Sequence, residues 1–246
     1  MSAERPRPGS VVITCEHGGN RVPPDWAAAM APDQRLLATH RGYDPGALDL
    51  AFLLAAALRA PLHLATTTRL LVDLNRSLDH PVLHGPSAWA LEPRARSRII
   101  RDHYAPYRRA VEQEVARMAR RDPGCYHISV HTFTPVLRGQ VRRIDIGLLF
   151  DPARPREAAL ARRWAAAIRR SEPRLRVRLN QPYNGTDDGL TTHLRTLHPD
   201  EGYAGIELEV NQRFVRAGGP RWLRLERSLA QALLLALAQT SATTSG

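Results

Sequence analysis

The stretch VVITCEHGGN, residues 11–20, joins the pattern of a buried strand to a polar end that contains glycine. The run Val11 to Cys15 is apolar or β-branched throughout, which predicts a β-strand. In open α/β sheets, ligands collect at the carboxyl ends of strands, so the polar residues that follow are the first candidates for a functional site. His17 is the most suggestive of them, because the paired glycines after it let the backbone pass close to a metal or substrate.

Short runs of this kind alternate with long amphipathic stretches along the rest of the chain. The alternation favours strands covered by helices and predicts the α/β class. The predicted strands are Val11 to Cys15, Leu62 to Thr66, Leu70 to Leu74, Tyr126 to Val130, Ile144 to Leu149, Arg176 to Leu179 and Ala204 to Val210. The predicted helices are Asp25 to Met30, Gly46 to Leu58, Pro93 to Arg120 with a break near Pro106, Pro155 to Arg170 and Arg221 to Ala238.

Length and composition favour one domain. The chain has 246 residues, 43% of them hydrophobic, and can bury one sizeable core. One domain is also more common than two at this length. We therefore expect a single domain over residues 1–246, with short disordered termini at about 1–9 and 240–246.

The chain is strongly basic, with a formal net charge of +11 and all 35 basic residues being Arg. Clustered cations release counterions from phosphate backbones, so a non-enzymatic, nucleic-acid-associated protein is one alternative. The Arg residues are spread along predicted helices beside Asp and Glu, and no nucleic-acid-binding motif accompanies them. Nucleic acid is therefore not an expected partner.

The sequence predicts a cytoplasmic protein with no membrane partner. No apolar stretch follows the charged N-terminus MSAERPRPGS, so a secretory signal is not expected. The apolar run from Ala230 to Ala238 is too short to span a bilayer. Cys15 and Cys125 are the two cysteines, and two do not make a disulfide framework.

Two further strands carry reactive groups. His131 follows the predicted strand Tyr126 to Val130, and the last strand contains Glu207 and Glu209. Two His at the ends of separate strands, together with a carboxylate, are the ligands that an open catalytic zinc site needs. A cysteine hydrolase is a rival, since Cys15 lies two residues before the first of these histidines. A thiol at the buried end of an apolar run is more often structural, which speaks against the rival.

The order of motifs along the chain carries a family resemblance. The motifs read HGGN (17–20), DPGA (44–47), RLLVDLNR (69–76), SVHT (129–132), NQPYNG (180–185), TTH (191–193) and IELEVNQ (206–212). Together they resemble the N-formylglutamate amidohydrolase family of bacterial-type enzymes, from Val11 to about Val215. The family is related in fold to the zinc carboxypeptidases and the aspartoacylase-type deacylases. The resemblance implies a three-layer α/β/α sandwich with a mixed central sheet, a metal-dependent hydrolase and a place in histidine degradation.

The resemblance also implies one divalent metal ion, zinc, held by His17, His131 and a carboxylate. The carboxypeptidase relatives have Glu where the HGGN motif has Asn20, and Asn is a poor zinc ligand. Asp44 matches the Asp ahead of the family's first long helix and is the preferred third ligand, with Glu16 in reserve and Asn20 as the remaining alternative.

The family's late-strand Glu matches Glu209, which we expect to pass the proton of a metal-activated water to the leaving amine. Glu207 has the same strand parity and faces the same side, so the two assignments could be exchanged.

The substrate implied by the resemblance is a small N-acyl amino acid with a free carboxylate, N-formylglutamate-like. Asn75 and Arg76 are similar to the Asn-Arg pair that carboxypeptidases use to hold a terminal carboxylate, so Arg76 joins Glu209 as a predicted catalytic residue. A carboxypeptidase or a deacylase of different specificity is the alternative. The predicted substrate-binding residues are Arg69, Asn75, Arg76, Arg143, Tyr183 and His193.

Overall fold

A computed structural model describes residues 11–121 and 124–241 of the chain. Within these ranges the strands are β1 (Val11–Cys15), β2 (Leu62–Leu64), β3 (Cys125–Phe133), β4 (Val136–Leu137), β5 (Gln140–Val141), β6 (Ile146–Leu149), β7 (Val177–Leu179) and β8 (Tyr203–Asn211). The α-helices are α1 (Ala27–Met30), α2 (Gln34–Leu37), α3 (Ala47–Leu58), α4 (Pro86–Trp89), α5 (Pro93–Ile99), α6 (Ala105–Ala119), α7 (Pro155–Ser171), α8 (Leu190–Leu197), α9 (Arg213–Ala217) and α10 (Gly219–Ser241).

The central sheet has six strands in the order β2-β1-β3-β8-β6-β7. Neighbouring strands are parallel except β6 and β8, which are antiparallel. The α/β class and the mixed sheet are therefore confirmed. Strands β4 and β5 form a separate two-stranded hairpin.

Helices cover both faces of this sheet. The helices α3, α7 and α10 pack their apolar residues on one face, where Ile13, Ile128 and Leu208 lie in a large fully buried cluster. The opposite face carries α6 and α8, whose Val115 and Leu194 pack with Val12 in a smaller cluster. Because side chains alternate along a strand, β1, β3 and β8 contribute apolar groups to the first face and polar groups such as Thr14, Ser129 and Glu207 to the second.

The predicted strand Leu70 to Leu74 is wrong. This segment is a chain of turns whose backbone is held by a hydrogen bond from Gly85 N–H to Leu70 O (2.8 Å) and another from Asp73 N–H to Leu83 O (2.8 Å). Its apolar side chains are buried in a cluster of their own, away from the central sheet. The apolar run therefore indicated burial correctly but not strand pairing.

The predicted long helix from Pro93 does break near Pro106. A π-helical segment, Ile100–Tyr104, separates α5 from α6. Proline has no N–H to donate to the preceding turn, and this loss is a common cause of such irregularity. Helix α8 is unpredicted; it contains the β-branched pair Thr191-Thr192, which lowers helix propensity.

In the part of the chain that the structure describes, no helix is long and apolar enough to cross a membrane.

Candidate active site

Three donors meet at one end of the sheet. His17 follows β1, Asp44 precedes α3, and His131 lies near the end of β3. One ligand atom from each lies within 4.8 Å of the others, and all three residues are buried. The Asp44 N–H donates to the backbone carbonyl of His17 (2.9 Å), which ties the two loops together. Gly46 then enters α3 at φ +80°, in the left-handed region that favours glycine.

The imidazole of His17 is oriented from behind. Its Nε2 lies 2.6 Å from Asp73 Oδ1, and Asp73 in turn accepts hydrogen bonds from Arg69 Nε (3.0 Å) and Nη2 (2.5 Å). Because a carboxylate only accepts, the Nε2 of His17 is the donor in this contact. The Nδ1 of His17 is buried, has no hydrogen-bond partner among the described residues, and lies 3.4 Å from Asp44 Oδ2.

The imidazole of His131 is held in the same manner. Its Nδ1 lies 2.9 Å from Asp44 Oδ2, and its Nε2 lies 2.9 Å from Ser129 Oγ and 3.2 Å from Glu16 Oε2. Ser129 donates to Glu16 Oε2 (2.7 Å), while Tyr107 donates to Glu16 Oε1 (2.9 Å). Both carboxylate oxygens of Glu16 therefore accept hydrogen bonds. Glu16 lies on the side of the His131 imidazole that faces away from Asp44.

The titration of these groups reflects the network. Burial opposes ionisation, but the hydrogen bond to His131 holds the pKa of Glu16 well below its usual range. Burial is likewise outweighed at Asp44, where the charge of His17 and the hydrogen bond to His131 lower the pKa. At His131, burial alone would lower the pKa, but the hydrogen bonds to Asp44 and Glu16 raise it well above its usual range.

The three alternatives for the third ligand occupy different places. Asp44 lies between the two imidazoles, whereas Glu16 contacts only the far nitrogen of His131. Asn20 is exposed and its Nδ2 donates to the carbonyl of Leu37 (3.1 Å).

The donor set fits a metal ion. Two imidazole nitrogens and a carboxylate oxygen converge on one point, and the buried Nδ1 of His17 has no hydrogen-bond partner among the described residues. A divalent cation at this point would satisfy all three. Metal-binding imidazoles are commonly oriented by a carboxylate on the nitrogen that faces away from the metal, and Asp73 and Glu16 occupy that position here.

Glu209 lies beside this group. On the parallel pair β3 and β8 it is the register partner of His131, and on its other side it faces Gly147 of β6. Burial raises its pKa to about 8. Its Oε2 is buried and, within the described ranges, has no hydrogen-bond partner. Glu207 also lines the pocket, but its Oε1 accepts a hydrogen bond from the Thr191 hydroxyl (2.6 Å).

Asn75 and Arg76 line the same pocket. Arg76 Nη1 donates to the carbonyls of Asp188 and Asn75, and its Nε is buried without a hydrogen-bond partner in the described part of the chain. Tyr104, from the π-helical segment, donates to the carbonyl of Arg76 (2.7 Å). Asn75 Oδ1 accepts from Leu190 N–H (2.6 Å), and its Nδ2 lies 3.4 Å from His131 Nε2.

The pocket brings together most of the predicted site residues. It has a volume of about 180 Å³. The predicted residues that line it are His17, Asp44, Arg69, Asn75, Arg76, His131, Tyr183, Glu207 and Glu209.

Two predicted substrate-binding residues do not line this pocket as the structure describes it. Arg143 is exposed between β5 and β6, outside the pocket. The ring of His193 points from α8 to α6, where Nε2 lies 2.9 Å from Glu112 Oε1. The neighbour Arg142 was missed: its Nη1 donates to the Tyr183 hydroxyl (2.8 Å), and its guanidinium lies 5.0 Å from the ring centroid. Sequence alone does not distinguish two adjacent arginines, because only the hairpin geometry decides which one faces Tyr183.

Cys15 lacks the setting of a nucleophile. It is fully buried in the cluster under α3, and burial raises the pKa of its thiol well above the usual range. Reactive cysteines have the opposite shift, because the thiolate is the nucleophile.

At the strand ends of this mixed sheet, a buried His-Asp-His group lies in one pocket with a glutamate and an arginine. This combination of residues is typical of a hydrolase. The sequence model of the N-formylglutamate amidohydrolase family matches residues 9–216. The chain therefore belongs to this family of hydrolases, which act on amide bonds.

Two solved structures are similar to the chain. A gene product of Agrobacterium tumefaciens is 26% identical, and the match covers 95% of this chain and 92% of that one with a TM-score of 0.80. An N-formylglutamate amidohydrolase from Ralstonia eutropha JMP134 is 20% identical, covering 94% of this chain and 93% of that one with a TM-score of 0.73. At that identity the second likeness shows a shared fold alone. No curated protein sequence matches the chain.

Proposed function

We propose that the protein is a metal-dependent amidohydrolase that removes an N-formyl or other N-acyl group from a carboxylated amino acid, N-formylglutamate-like. One observation carries the proposal: a His-Asp-His group within 4.8 Å shares a small pocket with the carboxyl group of Glu209 and the guanidinium of Arg76. Amide hydrolysis needs three such functions: a metal site that polarises the carbonyl, a group that transfers a proton, and a group that binds the substrate.

His17, Asp44 and His131 would hold the ion. Two imidazoles and one carboxylate form a set of three protein ligands that favours zinc and leaves a fourth position open. When bound, the ion would polarise the amide carbonyl and make a water molecule more acidic.

Asp73 and Glu16 are positioning residues in this proposal. Each accepts a hydrogen bond from the Nε2 side of one imidazole, which fixes the tautomer and turns the Nδ1 atom toward Asp44. Arg69 holds Asp73 through two of its nitrogens and so acts on His17 at one remove. Its Nη1 lies 3.6 Å from Asp44 Oδ1, at the pocket wall, where it could also donate to the carbonyl oxygen of the substrate.

Glu209 moves the proton. In its ionised form, the Glu209 carboxylate takes a proton from the attacking water and gives it to the amide nitrogen as the C–N bond breaks, so that the products are a carboxylic acid and an amine. Two features suit Glu209 to this step: Oε2 has no hydrogen-bond partner among the residues described, and the side chain lines the pocket. Glu207 is less suited, since Thr191 occupies one of its oxygens.

Arg76 anchors the substrate carboxylate. A guanidinium can hold a carboxylate through two parallel hydrogen bonds, and the Nε–H of Arg76 is the edge that has no partner within the described chain. Asn75, held by the Leu190 amide, lies between Arg76 and His131 and is suited to binding the same end of the substrate. Tyr183 closes the pocket, with Arg142 against its ring and hydroxyl.

The test combines metal analysis with a substrate panel. We expect the purified protein to contain about one divalent ion, and to hydrolyse N-formyl or N-acyl derivatives of amino acids in a chelator-sensitive manner. Glutamate, aspartate, an apolar amino acid and a C-terminally amidated control are compared at fixed acyl group. Activity that survives complete removal of metal would contradict the proposal. Equal activity on the amidated control would show that the substrate carboxylate is not needed for binding, and would contradict the role given to Arg76.

A further inference from the structure

A second cleft lies next to the pocket. Its volume is about 470 Å³, against about 180 Å³ for the pocket itself. The two spaces share His40, Arg69 and Tyr183 in their walls, so they are adjacent along these three residues. We call this second space the outer cleft.

The outer cleft has an apolar wall that faces solvent. Val82 is 58% exposed and Trp89 is 55% exposed, and Pro81 and Pro86 lie beside them. Single exposed apolar residues need no explanation, but Trp89, Val82 and the two Pro form one concave apolar wall, and the rest of the lining includes charged residues and histidines. Ligand clefts commonly combine an apolar wall with a few polar groups in this way.

The wall is built, because both its backbone and its aromatic ring are held in place. The Arg96 guanidinium lies 5.0 Å from the Trp89 ring centroid, and its Nη1 donates to the Trp89 carbonyl (2.9 Å). Ser87 N–H donates to Asp33 Oδ2 (3.0 Å), and Gly85 N–H donates to the carbonyl of Leu70 (2.8 Å). The Trp89 side chain is therefore fixed at the surface of the cleft, which lowers the entropic cost of binding a ligand there.

The position of the cleft selects one part of the substrate. Arg76, Asp187 and Asp188 line the pocket, but they do not belong to the described lining of the outer cleft. A substrate whose carboxylate is at Arg76 has its amino acid at that end of the pocket. The acyl group lies on the other side of the scissile bond, and it can extend toward the outer cleft past the shared residues His40, Arg69 and Tyr183.

We propose that the outer cleft binds the acyl group of the substrate, and that this acyl group is extended and ends in an aromatic or branched apolar group. This inference rests on the proposed function and names its substrate class more narrowly. A formyl group has one carbon and would leave the outer cleft unused. An extended acyl chain reaches the Trp89 ring and buries apolar surface there.

The test varies the acyl group on whichever amino acid the panel favours. We compare kcat/KM for the N-formyl and N-(4-phenylbutanoyl) derivatives. Burying a phenyl-sized group contributes enough to favour the extended substrate by about 10- to 100-fold. In Trp89→Ala this ratio should fall by about tenfold or more, since most of the aromatic wall is gone. Val82→Asp places a charge in the same wall and should lower the ratio as well.

A matched control comes from the opposite face of the sheet. Leu223 is 49% exposed on α10, so Leu223→Ala removes a comparable exposed apolar side chain and should leave the ratio unchanged. A wild-type preference for the formyl substrate would overturn the inference while leaving the proposed function in place. An unchanged ratio in folded Trp89→Ala and Val82→Asp would do the same. Hydrolysis of no N-acyl amino acid by metal-loaded protein would overturn the proposed function itself.

Discussion

Two buried carboxylic acids on opposite faces of the sheet have much in common. Glu209 is 6% exposed in the pocket, and Glu226 is 2% exposed on α10. In the described residues each has one carboxyl oxygen without a hydrogen-bond partner. Burial raises the pKa of Glu209 to about 8 and that of Glu226 to about 7.

Their surroundings differ. Glu209 lies beside His131 and lines a pocket with arginines, whereas the neighbours of Glu226 on α10, Leu225 and Leu229, belong to the apolar cluster of that face. A raised pKa is therefore not by itself a sign of catalysis. What distinguishes the two acids is access to substrate and the company of groups that bind it.

The largest effect is expected from removing a donor of the pocket. His17→Ala should lower metal content from about one ion per chain to near zero and abolish hydrolysis, because the remaining imidazole and carboxylate make an incomplete site. Elemental analysis and a chelator titration measure this. His198→Ala, which changes a His outside the pocket, is the control; full metal occupancy in His17→Ala would contradict the site.

A large effect on turnover is expected from Glu209→Gln. The substitution keeps the shape of the side chain but removes the titrating group, so kcat should fall by about 10²- to 10⁴-fold with metal content retained. Glu226→Gln is the matched control from the other face and should keep kcat. If Glu207→Gln is inactive and Glu209→Gln is active, the two pocket carboxylates have exchanged roles.

A moderate effect on substrate binding is expected from Arg76→Ala. Loss of hydrogen bonds to a charged group should raise KM by about 10- to 100-fold. Arg76→Lys should recover only part of this, since an ammonium does not reproduce the two-pronged geometry. Arg143→Ala is the control, because that side chain is exposed outside the pocket. Equal KM values for Arg76→Ala and the parent would locate the anchor elsewhere.

The smallest effect is expected from Glu226→Gln on the pH dependence of stability. Burial, with a smaller contribution from the charge of Asp49, raises the pKa of Glu226 from 4.5 to about 7. Between these pH values the folded protein keeps a proton that the unfolded chain has lost, so the free energy of unfolding falls as pH rises. Chemical denaturation at about pH 5 and about pH 8 should show a smaller loss in Glu226→Gln than in the parent. An identical loss would mean that other groups cause it.

Much of the fold was predictable because the spacing of hydrophobic residues and the length of each segment indicate which side chains are buried and in which kind of element. The strand Val11–Cys15 and the helices that begin near Pro93 and Pro155 follow from local pattern. The segment Leu70 to Leu74 has an equally apolar pattern, but its hydrogen bonds go to a neighbouring loop. The local sequence does not specify which backbone groups a segment will hydrogen-bond to, so an apolar segment of this kind is predicted as a strand.

The candidate site divides in the same way. The motifs around His17, His131 and Arg76 were recognisable because each has a local signature at a strand end or turn. His193 belongs to one of the family's motifs and Arg143 to none; in the structure His193 is paired with Glu112 and Arg143 is exposed. Whether a side chain faces a pocket depends on the orientation of a hairpin or helix, and this is set by packing.

The residues alone determined the α/β class, the family and the chemical types available at the strand ends. Only the tertiary structure decided that Asp44, which is 87 residues from His131 in the chain, lies against the Nδ1 of that histidine. The other two candidates for the third ligand, Glu16 and Asn20, do not lie between the imidazoles. The tertiary structure likewise decided that Glu207 is engaged by Thr191 while an oxygen of Glu209 has no partner among the described residues. The physical reason is that strand parity gives a side chain its face, whereas distance and pairing come from elements brought together by folding.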